Sequence, residues 1–271
     1  MKRFLVITNR DKDKDMAVTD DLLKYLRDKG FEADTEPGPG QDCCLVLGGD
    51  GTIISTARLL KNHDIPMLGI NLGHLGFMSS VEKNDIYDAV DLLAKGEYYI
   101  EDRMMIGARI IRNGVPSEPE YTALNDVVIS RLGFSRMIST RAYVNDALVN
   151  TYFGDGIIVS TPTGSTGYNL SAGGPIVTPE AELMVMTPIC PHSLNMRSVV
   201  VGSRDRIRIM VDTIRDSYSG KAVLTIDGQE PIELENGDGA EVFCSEMRTK
   251  LIRFKERGFF KVLNMKLADQ S

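Results

Sequence analysis

The first hundred residues alternate short apolar runs with segments of helical periodicity. Strands are predicted where the apolar runs fall, at residues 2–8, 31–34, 43–47 and 67–70. Helices are predicted where apolar residues recur at intervals of three and four, at residues 15–29, 52–62 and 85–94. Prolines and glycines at residues 37–40 predict a loop. Because strands and helices alternate, we expect an α/β domain with a parallel sheet and crossover helices over residues 1–100.

After Gly96 the pattern changes to short strands separated by turn dipeptides. The predicted strands lie at residues 106–111, 127–130, 141–144, 156–160, 206–211, 222–226 and 240–244. The turn dipeptides are typical of hairpins and occur at Asn113-Gly114, Asn145-Asp146 and Asp227-Gly228. This pattern predicts an all-β domain over residues 101–250, sandwich-like or barrel-like.

The net charge of the chain argues against nucleic-acid binding. The chain has 271 residues and a net charge of -7, with 31 Lys and Arg against 38 Asp and Glu. General nucleic-acid binding needs an excess of positive surface, so we expect no nucleic-acid partner. A basic run lies within this acidic chain and is expected to be a solvated strand face; its members are Arg248, Lys250, Arg253, Lys255 and Arg257.

The cysteines and apolar segments indicate a compartment. Four cysteines occur without a CxxC pair, which is neither a disulfide framework nor a zinc spacing. A reducing cytosol is expected, and hence a cytoplasmic location. No segment approaches the ~18 apolar residues of a membrane span, so no membrane partner is expected. The three histidines are far apart, which favours a carboxylate as any general base.

The first chemical motif is Gly-Gly-Asp-Gly-Thr at residues 48–52, between a predicted strand and a predicted helix. Glycines let a backbone approach a ligand, and the helix N-terminus offers free N–H groups that suit phosphate. The expected phosphate-binding residues are Gly48, Gly49, Gly51 and Thr52. Asp50 would repel phosphate, so its presence indicates work on a proton or a metal; the alternative is that it only turns the loop and caps the helix.

The second motif joins Gly154-Asp155-Gly156 to a long polar stretch at residues 161–174. That stretch is rich in hydroxyls and glycines and has one aromatic residue, Tyr168, so sugar hydroxyls and a nucleobase fit it. The alternative is a polar loop with helix caps at Ser165 or Thr166. Asn125-Asp126 can grip a ribose diol, or can be a simple turn dipeptide. The sequence lacks a Walker A motif, a GxGxxG after a strand and a GxSxG elbow.

Together these motifs resemble those of the NAD kinase family, which transfers the ATP γ-phosphoryl group to the 2′-hydroxyl of the adenosine ribose of NAD. The resemblance rests on motifs that span most of the chain: GGDGT at 48–52, Leu75-Gly76-Phe77, Asn125-Asp126, GDG at 154–156, TPTGSTGY at 161–168 and Asp227-Gly228-Gln229. TPTGST is the most specific, since diacylglycerol and sphingosine kinases share GGDGT. The resemblance implies an α/β domain, then a β-sandwich, with residues 251–271 returning to the first domain.

The resemblance also implies roles for individual residues. It implies that Asp50 is the base that takes the 2′-hydroxyl proton and that Gly51 lies against the phosphates. It implies that Tyr168 stacks on the ligand and that Asp155 contacts the nicotinamide side of NAD. The remaining implied NAD contacts are Phe77, Asn125, Asp126, Arg136, Thr163, Thr166, Gly167, Asn169, Leu170, Ser171 and Gln229. Because these residues come from both predicted domains, the site is expected in a cleft between them.

Three positions depart from the family pattern. Gly167 stands where Ala is usual, and Asp126 where many members have Glu. Phe153 occupies a position that is often basic. Neutralisation of the pyrophosphate is therefore expected from elsewhere, such as Arg136 or a neighbouring subunit.

The resemblance further implies the cofactor and the partners. Mg²⁺ is the implied cofactor, with ATP as donor. The sequence shows no dedicated metal cage, which suits Mg²⁺ because this ion usually arrives with the nucleotide and keeps its waters. A homodimer or homotetramer is expected. Two rival functions stay open: a lipid kinase sharing GGDGT, which needs an apolar channel that residues 161–174 do not offer, and a non-catalytic dinucleotide sensor, against which Asp50 argues.

Overall fold

The computed structural model describes residues 1–60, 64–73, 76–133, 137–193, 195–212, 221–254 and 258–268. The chain divides into two compact units. The first contains Met1–Arg103 and Thr249–Ser271, and the second contains Met104–Arg248.

Five helices and eighteen strands make up the described secondary structure. The helices are α1 (Ala17–Asp28), α2 (Asp50–Leu59), α3 (Ile86–Lys95), α4 (Tyr168–Ser171) and α5 (Phe259–Ala268), with single 3₁₀ turns at Lys83–Asp85 and Thr163–Thr166. The first nine strands are β1 (Arg3–Thr8), β2 (Glu32–Asp34), β3 (Cys43–Gly48), β4 (Met67–Asn71), β5 (Val81–Glu82), β6 (Tyr99–Arg112), β7 (Val115–Pro116), β8 (Tyr121–Ala123) and β9 (Asp126–Arg131). The other nine are β10 (Ile138–Val144), β11 (Ala147–Gly154), β12 (Gly156–Ser160), β13 (Leu183–Ile189), β14 (Val199–Gly202), β15 (Arg206–Asp212), β16 (Ala222–Ile226), β17 (Ile232–Leu234) and β18 (Gly239–Arg253).

The first unit is built on a parallel sheet in the order β2-β1-β3-β4. Strand β3 is buried at every position, as a central strand covered on both faces must be. Leu22 and Leu26 of α1 and Val90 and Leu93 of α3 are buried in the core of this unit. β1 and β3 are parallel neighbours, so the loops that follow them leave the same edge of the sheet. This arrangement sets the loop after β3, which carries Asp50, beside the loop after β1.

Helix α2 begins two residues earlier than the apolar periodicity predicts. Gly49 is its N-cap, and the Gly49 N–H donates to Thr52 Oγ1 at 3.3 Å. Asn9, after β1, also donates its side-chain amide to Thr52 Oγ1, at 3.2 Å. The predicted end of this helix at residue 62 falls outside the described residues.

The second unit contains two layers of antiparallel strands. One sheet has the order β14-β13-β12-β9-β16-β17, and the other includes β11-β10-β15-β18. Buried residues from both, such as Ile129 and Val159 of the first and Ile207 and Val242 of the second, form one core. The predicted fold class, an α/β domain followed by an all-β sandwich-like domain, is confirmed.

The predicted turn dipeptides close three of the hairpins. Their residues adopt positive φ, at Asn113-Gly114, Asn145-Asp146 and Asp227-Gly228. These turns join β6 to β7, β10 to β11 and β16 to β17. Asparagine, aspartate and glycine reach this conformation at the lowest cost, so the local sequence determines the turn.

The expectation for the basic run is wrong at one position. Arg248 and Lys250 make surface ion pairs with Glu182 and Asp64. Arg253 is only 5% exposed, because its guanidinium lies against Glu101 inside the first unit. The two last members of the run lie outside the described residues.

Over the described residues, no helix combines the length and the hydropathy that a membrane crossing requires.

Candidate active site

In the first unit, the Gly-Gly-Asp-Gly-Thr loop lies at the N-terminus of α2. Asp50 is the first residue of that helix. The first N–H groups of a helix have no partner within the helix, and the helix dipole adds positive charge there. Such an end attracts anions, whether a side-chain carboxylate or a bound phosphate.

The Asp50 carboxylate is held by two consecutive backbone amides. Phe77 N–H donates to Oδ2 at 2.8 Å, and Met78 N–H donates to Oδ1 at 3.0 Å. Each carboxylate oxygen has two lone pairs, so each keeps the capacity to accept one further hydrogen bond. Asp50 is therefore fixed in orientation, and each of its oxygens can accept a bond from a further donor.

Gly76 lets this contact form. A Cβ atom at position 76 would lie 1.9 Å from Asp50 Oδ1, so any side chain there would displace the carboxylate. Leu75, which belongs to the same motif, lies outside the described residues.

A cavity of about 640 Å³ opens beside Asp50 within this unit. Its polar lining comes from the loop after β1, from α2 and from α5: Thr8, Asn9, Lys12, Thr52, Ser55 and Lys266. Lys12 reaches toward the glycine loop, since its Nζ would lie 3.0 Å from a Cβ at Gly49. The two lysines bring positive charge to a cavity that already holds a helix N-terminus.

The sequence alone did not identify these two lysines. Lys12 could have been found, because the loops after neighbouring parallel strands meet at one edge of a sheet. Lys266 could not, because no local pattern brings α5 near the glycine loop. Its Nζ lies 5.3 Å from the centre of the Phe77 ring, which also packs against Phe259 at 6.1 Å.

In the second unit, Asp227 connects two of the predicted motifs. Its carboxylate accepts hydrogen bonds from the backbone amides of Leu124, Asn125 and Asp126, at 2.8, 2.7 and 3.1 Å. The turn that carries Asp227 also contains Gln229, which is half-buried. The family resemblance includes Asp227 but implies no role for it; the structure shows that it fixes the backbone at Asn125 and Asp126.

Asn125 and Asp126 both carry polar groups in an unusual state. Asn125 Oδ1 is buried and accepts no hydrogen bond from any residue that the structure describes. Burial and the neighbouring Asp227 carboxylate raise the pKa of Asp126 to about 7. Buried polar groups are normally paired, so a free acceptor and a partly protonated carboxyl group indicate a ligand-binding position.

The TPTGST segment packs tightly on Asn125. Thr161 donates its hydroxyl to Leu124 O at 2.6 Å, and Thr161 N–H donates to Asn125 O at 2.8 Å. A Cβ at Gly164 would lie 2.1 Å from Asn125 O, so only glycine allows this approach. Thr163 is buried within the same turn.

Asn169 is held inside the fold by hydrogen bonds to the protein itself. It is fully buried, its amide donates to Ser165 O and Pro175 O, and its Oδ1 accepts from Thr187. These bonds tie the polar stretch to β13. A direct contact of Asn169 with NAD stays a prediction.

The other predicted contacts in this stretch are more accessible. Tyr168 is 46% exposed, and Gly167 lies beside the Asn125 amide, whose Nδ2 would be 3.5 Å from a Cβ there. Thr166 and Leu170 are half-buried, and Ser171 is exposed. Tyr168 can therefore offer its ring to a ligand.

Asp155 lies at the junction of β11 and β12. Arg131 Nε donates to Asp155 Oδ1 at 2.6 Å, and Arg131 N–H donates to Asp155 O at 2.9 Å. Arg131 is a third residue that the sequence did not identify. It supplies a cation close to Asp155, although Phe153 is not basic. Arg136, which was expected to supply that charge, lies outside the described residues.

The described residues contain no group of three or more His, Cys, Asp or Glu side chains that could hold a metal ion. Asp50 is the acidic side chain that lines the cavity described above.

Comparison with known proteins identifies the family. The model of the ATP-NAD kinase N-terminal domain matches residues 8–98, and that of the C-terminal domain matches residues 124–254. An NAD kinase of Lachnoclostridium phytofermentans is 43% identical over the whole of both chains. One of Heliobacterium modesticaldum is 47% identical over 83% of this chain and 78% of its own. The chain belongs to the ATP-NAD kinase family.

Solved structures share the fold. A yeast NADH kinase complexed with NADH aligns with a TM-score of 0.80 at 23% identity, over 98% of this chain and 88% of that one. An NAD kinase from Archaeoglobus fulgidus in complex with ATP aligns with a TM-score of 0.78 at 25% identity, over 98% of both chains.

The close packing at Gly164 gives a matched pair of substitutions. Gly164→Ala should destabilise the protein by at least ~2 kcal/mol, because the new methyl would meet the backbone oxygen of Asn125. Gly167→Ala should change stability by under ~1 kcal/mol, because its nearest new contact is 3.3 Å, to Gly164 O. Chemical denaturation of both variants measures the difference, and equal losses would contradict this packing.

The raised pKa of Asp126 predicts a pH dependence of stability. The folded state keeps this proton up to about pH 7, whereas the unfolded chain releases it near the ordinary value of 3.8. Stability from this group therefore falls as the pH rises between those values, by at most about 1.4 kcal/mol per pH unit. The unfolding free energy of Asp126→Asn minus that of the parent should increase from pH 4 to 7 and stay constant above pH 7. Asp146→Asn, on an exposed turn, is the control; parallel curves for Asp126→Asn and the parent would disprove the shift.

Proposed function

We propose that this chain transfers the γ-phosphoryl group of ATP to the 2′-hydroxyl of the adenosine ribose of NAD, with Asp50 as general base. The observation that carries the proposal is the position of the Asp50 carboxylate. Two amides fix it at the N-terminus of a helix, which attracts phosphate. A secondary hydroxyl is a weak nucleophile, and a positioned carboxylate contributes a factor of ~10²–10⁴ as general base. The relatives named NAD kinase support the same reaction.

The first unit supplies the groups expected to hold the phosphates. Gly49, Gly51 and Thr52 line the cavity at the N-terminus of α2, and Lys12 and Lys266 add two ammonium groups. Gly48, the buried last residue of β3, is proposed with them. Lysine binds phosphate as a point charge and so tolerates different phosphate orientations. Phosphoryl transfer depends mainly on positioning and charge stabilisation, and this cavity offers both.

The second unit supplies the groups expected to hold the nucleosides of NAD. The free Asn125 Oδ1 suits a donor such as the adenine amino group or a ribose hydroxyl. Asp126 can donate or accept, depending on its protonation. Tyr168 offers a stacking surface, and Asp155 can accept from a ribose hydroxyl or the carboxamide. Phe77 is proposed to line the adenine pocket. Thr163, Thr166, Gly167, Leu170, Ser171 and Gln229 are proposed as the surrounding wall.

Mg²⁺ is proposed to enter with ATP. Bound with ATP, Mg²⁺ would neutralise charge on the donor phosphates. Among the described residues that line the cavity, Asp50 is the carboxylate that could face a hydrated ion of this kind, beside the hydroxyl and amide groups of Thr52, Ser55 and Asn9. Asn9, Thr52 and Ser55 could orient its waters.

Compartment and assembly complete the proposal. All four cysteines are free thiols, which agrees with a reducing cytoplasm. A homodimer or homotetramer is proposed from the family resemblance, and sedimentation would distinguish the two. The relatives and solved structures reported above are NAD or NADH kinases, which favours this reaction over a lipid kinase, and a non-catalytic sensor would not need the Asp50 carboxylate.

Replacement of the base should abolish most of the activity. Asp50→Asn should lower kcat by at least ~10²-fold while NAD still binds, because the base acts mainly in the transition state. A coupled assay for NADP formation measures this, with Asp91→Asn on the surface of the same unit as control. A kcat near that of the parent would remove Asp50 from the chemistry.

Asp155→Ala should weaken NAD binding by ~10-fold or more and ATP binding by under ~3-fold, because losing a hydrogen bond to a charged group costs about 1.5–3 kcal/mol. Calorimetric titration with each nucleotide tests the split. Asp212→Ala, which breaks another Arg–Asp pair of the same unit, is the matched control. Equal losses for the two nucleotides would contradict this assignment.

A further inference from the structure

A single peptide group connects Asp50 to a buried cation. The peptide between Phe77 and Met78 donates its N–H to Asp50 Oδ1 at 3.0 Å. Its carbonyl, on the opposite side, accepts from Arg253 Nη2 at 3.2 Å. Arg253 Nη1 also donates to the next carbonyl, Met78 O, at 2.8 Å. The loop is therefore held by a carboxylate at its amides and by a guanidinium at its carbonyls.

Arg253 is itself fixed. Its Nε donates to Glu101 Oε2 at 2.9 Å, and its Nη1 donates to Ser80 Oγ at 2.7 Å. Burial raises the pKa of Glu101, but the guanidinium groups of Arg253 and Arg103 outweigh this and hold it below the ordinary value. Glu101 is therefore ionised at neutral pH, and the Arg253 charge is compensated within the core.

The order of charges along this chain of groups is favourable. A cation at the carbonyl and an anion at the N–H both align with the dipole of the peptide between them. Hydrogen bonds in such a chain polarise one another, and a low dielectric strengthens them. Arg253 thus acts on both the geometry and the strength of the bonds that hold Asp50.

We propose that Arg253 is a positioning residue for Asp50, which it orients through the Phe77–Met78 peptide. The proposal rests on the proposed function, since it gives Asp50 the role of base. Arg253 itself would touch neither substrate nor metal. Its loss would leave the carboxylate in the site but less well aligned with the hydroxyl that it serves.

The alternative is that Arg253 only stabilises the fold of the first unit. A structural role alone would lower activity through the amount of folded protein, whatever residue occupies position 50. A positioning role requires the effect of Arg253 to depend on Asp50, and a double-mutant cycle measures that dependence.

The experiment compares Arg253→Lys, Asp50→Asn and the double variant. Lysine keeps the charge beside Glu101 but lacks the planar fork that reaches two carbonyls. Arg253→Lys should lower kcat by ~10-fold, with KM for NAD and ATP changed by under ~3-fold. In the Asp50→Asn background the same change should lower the residual kcat by under ~2-fold, because there is no base left to align.

Two results would overturn the proposal: an equal loss from Arg253→Lys in both backgrounds, or no loss from Arg253→Lys with Asp50 present. Failure of the proposed function would look different, because Asp50→Asn alone would then keep the parent kcat. Lys250→Met, on the same strand but in a surface ion pair, is the control. If circular dichroism shows that Arg253→Lys is unfolded, Glu101→Gln replaces it, since it loosens Arg253 without removing it.

Discussion

Two hydrogen bonds, from the amides of Phe77 and Met78 to the Asp50 carboxylate, fix the arrangement of the candidate active site in the first unit. A carboxylate at a helix N-terminus would be drawn toward the helix amides, where it would compete with phosphate. The amides of a second segment draw it aside instead, and Gly76 leaves the space for this. The helix N-terminus remains available for an anion, and the carboxylate is presented beside it.

The second unit uses the same type of interaction. Asp227 accepts from three successive amides, as Asp50 does from two, and in both cases a carboxylate fixes a loop through its backbone. The outcome differs because Asp227 lies next to another acid. Its charge and the burial of Asp126 keep a proton on the latter near neutral pH. One carboxylate thus orders the backbone of its neighbour and also sets the charge of that neighbour's side chain.

Most regular elements and the chemical motifs could be predicted from the sequence, because their signals are local. Strands β12 and β16 coincide with the predicted segments, and the glycine loop follows β3 as expected. β13 was missed because its run contains methionines and Pro188, which weaken the strand pattern. Arg253 was misjudged because its burial depends on Glu101, 152 residues away, and Lys266 was missed because α5 approaches the cavity only in the folded unit.

Both Asp50 and Arg253 bind main-chain atoms of Phe77 and Met78, so the side chains at these two positions take no part in those hydrogen bonds. The ring of Phe77 is free to pack against Phe259 and to face Lys266. Position 77, which is half-buried, can therefore change its side chain without releasing the Asp50 carboxylate, whereas Met78 is buried in the unit. A substitution at position 77 thus alters the surface beside the Asp50 carboxylate without moving the carboxylate itself.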